Sequence, residues 1–225
     1  MIFGIGLDGG MAEELIVPER ALVPLPAGVR PRDACLVEPL AVNLHSLDLA
    51  GLSSGQSVAV IGGNLTGFGL LAVAGAAQRG CPVDFESGYE HQLEPALKLG
   101  ARRAATRDIG QRYDLVIEGD GSEASIARAI EVCRPGGKLL LVAGYYSDKS
   151  FPSPACMVKE LTMIWGTYYG HHAGGRDAEA AAALLARRPE IARSLITHRF
   201  PLEAAPEAFD LVRGPQASMK VVIEP

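Results

Sequence analysis

A doubly wound α/β fold on a parallel sheet is what this sequence predicts, and three observations predict it. Residues Ser57 to Glu86 read as strand, glycine turn, helix and second strand in one unit. Beyond them strand and helix patterns keep alternating, as in sheets whose apolar strands are buried on both faces and joined by helices. Glycines punctuate the alternation at its joints: Gly62 and Gly63 after the first strand, Gly80 and Gly100 after helices, Gly119 and Gly121 after a later strand.

Taken in order, the chain opens with Gly4, Gly6, Gly9 and Gly10 around Asp8, and then Met11 to Val17 and Ala21 to Leu25 read as short strands. Pro24, Pro26 and Pro31 mark a loop. Pro39 then fits the first turn of a helix running to about Leu49, with Glu38 just before it. A carboxylate at that place is ordinarily favourable electrostatics, worth about 0.3–1 kcal/mol. Gly51 to Gln56 turn into the strand Ser57 to Ile61, and the helix after the glycines is filled by Phe68, Leu70, Leu71, Val73, Ala74 and Ala77. Val83 and Phe85 open the second strand. Glu90 to Leu99 reads as helix, Tyr113 to Ile117 as strand, and Ser122 as the cap of a helix over Glu123 to Cys133. Arg134-Pro135-Gly136-Gly137 then turns into the apolar strand Lys138 to Ala143.

The glycine turn is a dinucleotide-site candidate. Unpaired N–H groups and the positive end of a helix dipole favour a pyrophosphate, and glycines let the backbone approach it. The full G-x-G-x-x-G pattern is not met. One register places Gly62, Asn64 and Gly67 at the glycine positions, the other Asn64, Thr66 and Gly69, and both lack the middle glycine. Asn64 and Thr66 offer side-chain hydrogen bonds in its stead, with Gly63 between strand and turn. Glu86, 19 positions after Gly67 (86 − 67), is the acidic candidate for the ribose hydroxyls, and Ser87 competes for that role. A nucleotide-free strand-turn-helix fits the same degenerate pattern. Ligands of such sheets sit at the carboxyl ends of the strands, where Gly62, Glu86, Glu118 and Gly144 fall. Lys98 is the first Arg or Lys after Glu86, so nothing near that strand end is placed to hold a 2′-phosphate. NAD is expected over NADP.

Composition narrows the partners. A net charge of −5 with 21% charged residues leaves no basic footprint for nucleic acid. No apolar run approaches the ~20 residues of a membrane span, and no basic leader precedes the first strand, so the expectation is a cytoplasmic protein. Cys35, Cys81, Cys133 and Cys156 are scattered without a C-x-x-C pair, which argues against a structural zinc site and a disulfide framework.

Several segments together resemble the zinc-type medium-chain alcohol and polyol dehydrogenase family over essentially the whole chain. They are DGGMAEELIVPERALVPLP at 8–26, VEPLAVNLHSL at 37–47, VAVIGG at 58–63, LGA at 99–101, RPGGKLLLVAGYY at 134–146, KELTMIWG at 159–166 and ITHRFPLEAAPEAFDLV at 196–212. The resemblance implies a Rossmann domain, residues 44–170, inserted in a GroES-like β domain of which 1–43 and 171–225 are remnants. It also implies NAD or NADP with an alcohol or carbonyl substrate, and a homodimer formed through the edge strand Leu161 to Trp165. A barrel remnant would expose apolar surface at Met11 to Val17 and Ala21 to Leu25, which favours association.

The chain also departs from the family. The family's zinc-binding Cys-Gly-x-Asp-x-His and Gly-His-Glu motifs and its four-cysteine zinc lobe match no segment of these 225 residues. Glu38, in V-E-P-L-A, resembles a third zinc position of the polyol branch and stands as a vestigial metal residue. Zinc is a family expectation that this chain is not expected to meet, since a catalytic zinc takes three protein ligands. His171 and His172 are adjacent and point in different directions on a regular element, and His45 and His198 are far off in sequence, so these read as surface or hinge histidines. Tyr145 to Lys149 spells the Tyr-x-x-x-Lys of short-chain dehydrogenases, but it falls between a strand and Phe151-Pro152-Ser153-Pro154 and reads as loop. Two functions follow: an oxidoreductase exchanging hydride between a nicotinamide and an alcohol or carbonyl compound, or a non-catalytic unit that binds a dinucleotide or dimerises. No catalytic side chain is assigned.

Overall fold

Six strands form one parallel sheet: β1 (Val58–Gly62), β2 (Val83–Ser87), β3 (Ala101–Ala105), β4 (Tyr113–Glu118), β5 (Cys133–Leu141) and β6 (Thr162–Trp165). The structure, a computed structural model, describes residues 3–62, 67–110, 112–172, 174–214 and 218–225. The strand order is β3-β2-β1-β4-β5-β6. The chain therefore runs outward from β1 to β3 and then returns to the other side of β1, so neighbouring connections leave β1 and β4 in opposite directions.

The apolar runs explain the layers. Alternate residues of a strand face opposite sides. Val58 and Val60 of β1, Phe85 of β2 and Leu115 of β4 join one buried cluster with helices α1 (Val37–Leu49) and α2 (Phe68–Gln78). Ala59, Ile61 and Val116 face the other way, onto Ile126, Ala129 and Ile130 of α4 (Glu123–Val132). The short α3 (Leu93–Lys98) follows a 3₁₀ turn, Glu90–Gln92, and leads into β3. Ser122 caps α4 as the sequence predicts, its hydroxyl accepting the Ser125 N–H at 3.1 Å.

Among its described residues the return from β3 to β4 carries no helix. Residues 106–112 span it, and Ile109, buried, fills the face that a crossover helix would otherwise cover. Further on, Arg134 to Gly137 does turn, but inside β5 and not before it. Tyr113 pairs with Cys133 and Leu115 with Lys138, so the turn loops out of a strand that begins five residues earlier than expected. Lys159, after α5 (Ser153–Val158), donates to the carbonyls of Ile130, Glu131 and Cys133 at 2.7–2.8 Å and so closes the end of α4, where cations are favoured.

The chain ends depart most from expectation. Among the described residues Met11 to Val17 and Ala21 to Leu25 form no strand, and a 3₁₀ turn, Glu19–Ala21, lies between them. A strand is held by a partner ladder, and among the described residues no strand pairs with either segment. The expected exposure is there nonetheless: Met11 is 61%, Ile16 95% and Leu22 57% exposed. Toward the C-terminus come the hairpin β7 (His171–His172) and β8 (Gly175–Arg176), α6 (Asp177–Arg187), α7 (Glu190–Leu195), β9 (Ile196–Pro201), α8 (Ala205–Arg213) and β10 (Lys220–Glu224). β9 and β10 run parallel. Ala181, Ala182, Leu184, Leu185 and Leu195 of α6 and α7 belong to the same buried cluster as Val60 and Phe85. No helix among the described residues is long and apolar enough to cross a membrane.

Candidate functional site: the carboxyl edge of the sheet

The site candidates converge where β1 ends. Gly62 closes β1, and a Cβ on it would meet the Phe85 ring at 2.7 Å, so the absent side chain lets β2 pack its aromatic ring against β1. Gly67 precedes α2 with φ +84, a conformation that side-chain-bearing residues rarely adopt, and a Cβ there would strike Leu195 Cδ2 at 2.7 Å. The start of α2, with its unpaired N–H groups, thus lies beside the carboxyl ends of β1 and β4, at the point where the strand order reverses. Gly63, Asn64 and Thr66 lie outside the described residues.

Glu86 ends up on the α4 side of the sheet. Arg128 of α4 grips both carboxylate oxygens, Nε to Oε1 at 2.8 Å and a terminal nitrogen to Oε2 at 2.9 Å, and the Ile109 N–H donates at 3.3 Å. Burial raises the Glu86 carboxyl, but Arg128's hydrogen bonds and charge and the backbone donors outweigh it, holding the carboxyl below its ordinary range. Arg128 is in turn pushed up, chiefly by its hydrogen bond to Glu86. Ser87 is buried, and its hydroxyl donates to Gln92 Oε1 at 2.6 Å.

Glu118 is fully buried at the end of β4. Its Oε1 accepts the N–H groups of Asp120 and Gly121 at 2.8 Å and the Ser125 hydroxyl, and its Oε2 accepts the Tyr145 hydroxyl. Four donors and no cation therefore hold this carboxylate beside the switch point. The Tyr145 ring also lies edge-on to Trp165, with centroids 5.0 Å apart. Burial first, then the hydrogen bond to Glu118 and its charge, push the Tyr145 hydroxyl well up. That direction is wrong for proton transfer near neutral pH, and residues 145–149 form a loop, as the sequence suggests. Gly144, exposed and three residues past β5, sits under the Tyr146 ring, which a Cβ would meet at 2.6 Å.

Glu38 stands apart from this edge. It lies within the first turn of α1, not before it, because the helix begins at Val37. Desolvation raises its carboxyl against the lowering effect of Lys220. His45, two turns along, places Nδ1 3.0 Å from Asp177 Oδ2, which also accepts the Gly170 N–H at 2.7 Å. His171 is in β7, and His198 Nδ1 lies 3.0 Å from its neighbour Thr197 Oγ1. Among the described residues no three His, Cys, Asp or Glu side chains gather as metal ligands. Glu38 beside a lysine does not fit a catalytic zinc, which takes three protein ligands.

Sequence reasoning brings Gly62, Glu86, Glu118 and Gly144 to one edge, where β1, β2, β4 and β5 end, and Gly67 opens α2 after β1. It misses Arg128, Ser125 and Tyr145 as the groups that occupy the two carboxylates. Only Arg128 left a trace in the sequence, a cation beside the apolar positions Ile126, Ala129 and Ile130 of α4.

A parallel sheet in this order, with a glycine turn opening a buried helix at its switch point, defines a fold of the dinucleotide-binding type. The chain belongs to the zinc-binding dehydrogenase family, whose model matches residues 67–187. It is 30% identical over 222 residues to D-xylulose reductase A of Aspergillus niger, covering 92% of this chain and 61% of that protein. The chain thus spans about three fifths of that relative's length. Among solved structures, L-idonate 5-dehydrogenase of Escherichia coli superposes with a TM-score of 0.86 at 20% identity, covering 99% of this chain and 66% of that one. A zinc-binding dehydrogenase of Sinorhizobium meliloti, solved with NADP bound, gives a TM-score of 0.81 at 24% identity over 99% and 68% of the two chains.

Proposed function

We propose that this chain is the cofactor-binding part of a medium-chain dehydrogenase and binds a nicotinamide dinucleotide along the carboxyl edge of its sheet. The observation that carries this reading is the start of α2 beside β1 and β4, opened by Gly67 in a left-handed conformation. The pyrophosphate would lie over Gly62 to Gly67 with Asn64 and Thr66 as side-chain donors, the ribose near Glu86 and Ser87, and the nicotinamide toward Glu118 and Gly144. When bound, the nicotinamide supplies hydride exchange with an alcohol or carbonyl compound. This chain's residues position it: the helix start neutralises the phosphates, and Glu118, locked by four donors, sets the floor of the crevice. Names such as D-xylulose reductase favour a polyol or its ketone as the substrate class. The cofactor unit is residues 44–170, flanked by 1–43 and 171–225, and the protein acts in the cytoplasm.

NAD is the preferred dinucleotide, although Glu86 contributes less to that preference than its charge alone suggests. Paired with Arg128, it is nearly neutral toward a 2′-phosphate, so the preference rests on the lack of Arg or Lys between Glu86 and Lys98. Fluorescence titration with NADH and NADPH is expected to show both binding weakly, because a close-approach glycine is missing, with NADH the tighter. Tighter NADPH binding would assign Arg128 to the 2′-phosphate and overturn the preference.

A second reading, a non-catalytic dinucleotide-binding or dimerising unit, is favoured by the surroundings of Glu38, where Lys220 is the charged neighbour and no metal-ligand group gathers among the described residues. β6 is the outermost strand of the sheet and Trp165 on it is 51% exposed. An unpaired edge is a template for a second copy. Light scattering is expected to give a homodimer, and a monodisperse monomer would count against it.

A further inference from the structure

We propose that the amino-terminal edge of the sheet, on the face left without a crossover helix, binds a small phosphate-class dianion, either free phosphate or a phosphate monoester. An open cavity of about 600 Å³ lies there, lined by Arg102, Arg103 and Arg112 together with Ser57, Asp84 and Tyr113. Ser57 precedes β1, Asp84 is the second residue of β2, and Tyr113 begins β4, so the cavity is at the end of the sheet opposite the dinucleotide crevice. The inference is therefore independent of the cofactor reading.

Two features of the backbone bring the arginines together. Val83 pairs with Ala101 but Asp84 pairs with Arg103, so Arg102 is an extra residue in the β3 register. Successive residues of a regular strand face opposite sides, and an inserted residue re-aims one of them. Here both arginines line one cavity. Arg112 enters from the short β3–β4 connection in a left-handed conformation, φ 77, with its N–H bonded to the Val132 carbonyl at 2.6 Å. Asp108 in the same connection is also left-handed, φ 63. Non-glycine residues rarely take up that conformation.

The arginines of the cavity are not all paired within the protein. Asp84 is satisfied by Arg102, at 3.1 and 2.8 Å, and by the Tyr113 hydroxyl at 2.7 Å. Arg103 and Arg112, both exposed, form no ion pair or side-chain hydrogen bond among the described residues. Two guanidinium groups are thus uncompensated at one cavity of a protein whose net charge is −5. Guanidinium forks match phosphate oxygens in pairs, and a dianion matches two such charges.

Calorimetric titration tests this with inorganic phosphate in one arm and glycerol phosphate in the other, each against sodium chloride of equal ionic strength. Saturable binding is expected in at least one arm, and which arm distinguishes free from esterified phosphate. In the double variant Arg103→Gln, Arg112→Gln the affinity should fall by about tenfold or more, the loss of two charge-assisted bonds, while the thermal midpoint stays near that of the parent. If the double variant unfolds early, Arg103→Gln alone should show a smaller loss of the same sign. Unchanged affinity in the folded variants, or no binding beyond that of chloride, overturns the proposal.

Discussion

Replacing Arg128 with methionine is expected to cost about 3–5 kcal/mol of stability at neutral pH, the toll of leaving a buried carboxylate without its partner. That is a large share of the roughly 5–15 kcal/mol that separates folded from unfolded proteins. Glu86 is 6% exposed, and Arg128 grips both of its carboxylate oxygens. The pH dependence should also change sign. With Arg128 in place the Glu86 carboxyl is depressed, so its contribution is present above the unfolded value of about 4.3 and is lost as pH falls through the folded one. Without Arg128 burial dominates, the folded pKa rises above the unfolded value, and the variant should gain stability as pH falls toward 5 relative to its own value at 7. Urea denaturation at both pH values reads the two effects, and a second change, Glu86→Gln, should recover part of the loss. A variant as stable as the parent would show that Glu86 finds solvent by local opening.

The 225-residue chain alone is expected to bind a dinucleotide and yet oxidise alcohols and polyols at background rate. Removing hydride from an alcohol requires its hydroxyl proton to leave and the developing alkoxide to be stabilised. At the carboxyl edge the ionisable candidates are already committed: Glu86 to Arg128, Glu118 to four donors, and Tyr145, pushed up, to Glu118. Loss of a single group stabilising an oxyanion costs about 10²–10³ in rate. NADH formation across alcohols and polyols with added zinc is the measurement. Robust turnover, sensitive to chelator and abolished by Glu38→Ala, would overturn the second reading and direct attention to His45, His171 and Cys35.

The centre of the sheet was legible because β1, β4 and β5 carry near-continuous apolar runs and the helices begin and end on glycines, a proline and a capping serine, whereas β3, with Arg102 and Arg103 among its five residues, carries no apolar run and was not read as a strand. Ser122 and Gly67 sit where sequence chemistry puts them. The chain ends were not legible. Met11 to Val17 has the residue types of a strand, but pairing is a property of the neighbour, and the sequence of one segment does not record whether a neighbour arrives. The carboxylates divide the same way. Their location at strand ends follows from topology, whereas Arg128, 42 residues beyond Glu86, meets it only through the packing of α4 on the sheet. The role of Gly62 is likewise a matter of packing, since the ring that occupies its side-chain space comes from the next strand.

The contact between Gly67 and Leu195 links two distant parts of the molecule. Leu195, at the end of α7, fills the space that a side chain on Gly67 would take, and it shares one buried cluster with Phe85 and Val60. Docking of α7 and the left-handed backbone at Gly67 therefore share one packing contact. Reciprocity between coupled events then requires that a ligand which favours the Gly67 conformation favours the docking of Leu195 in equal measure. A substitution at Leu195 is in this sense a remote handle on the backbone at Gly67, 128 positions away in the chain (195 − 67).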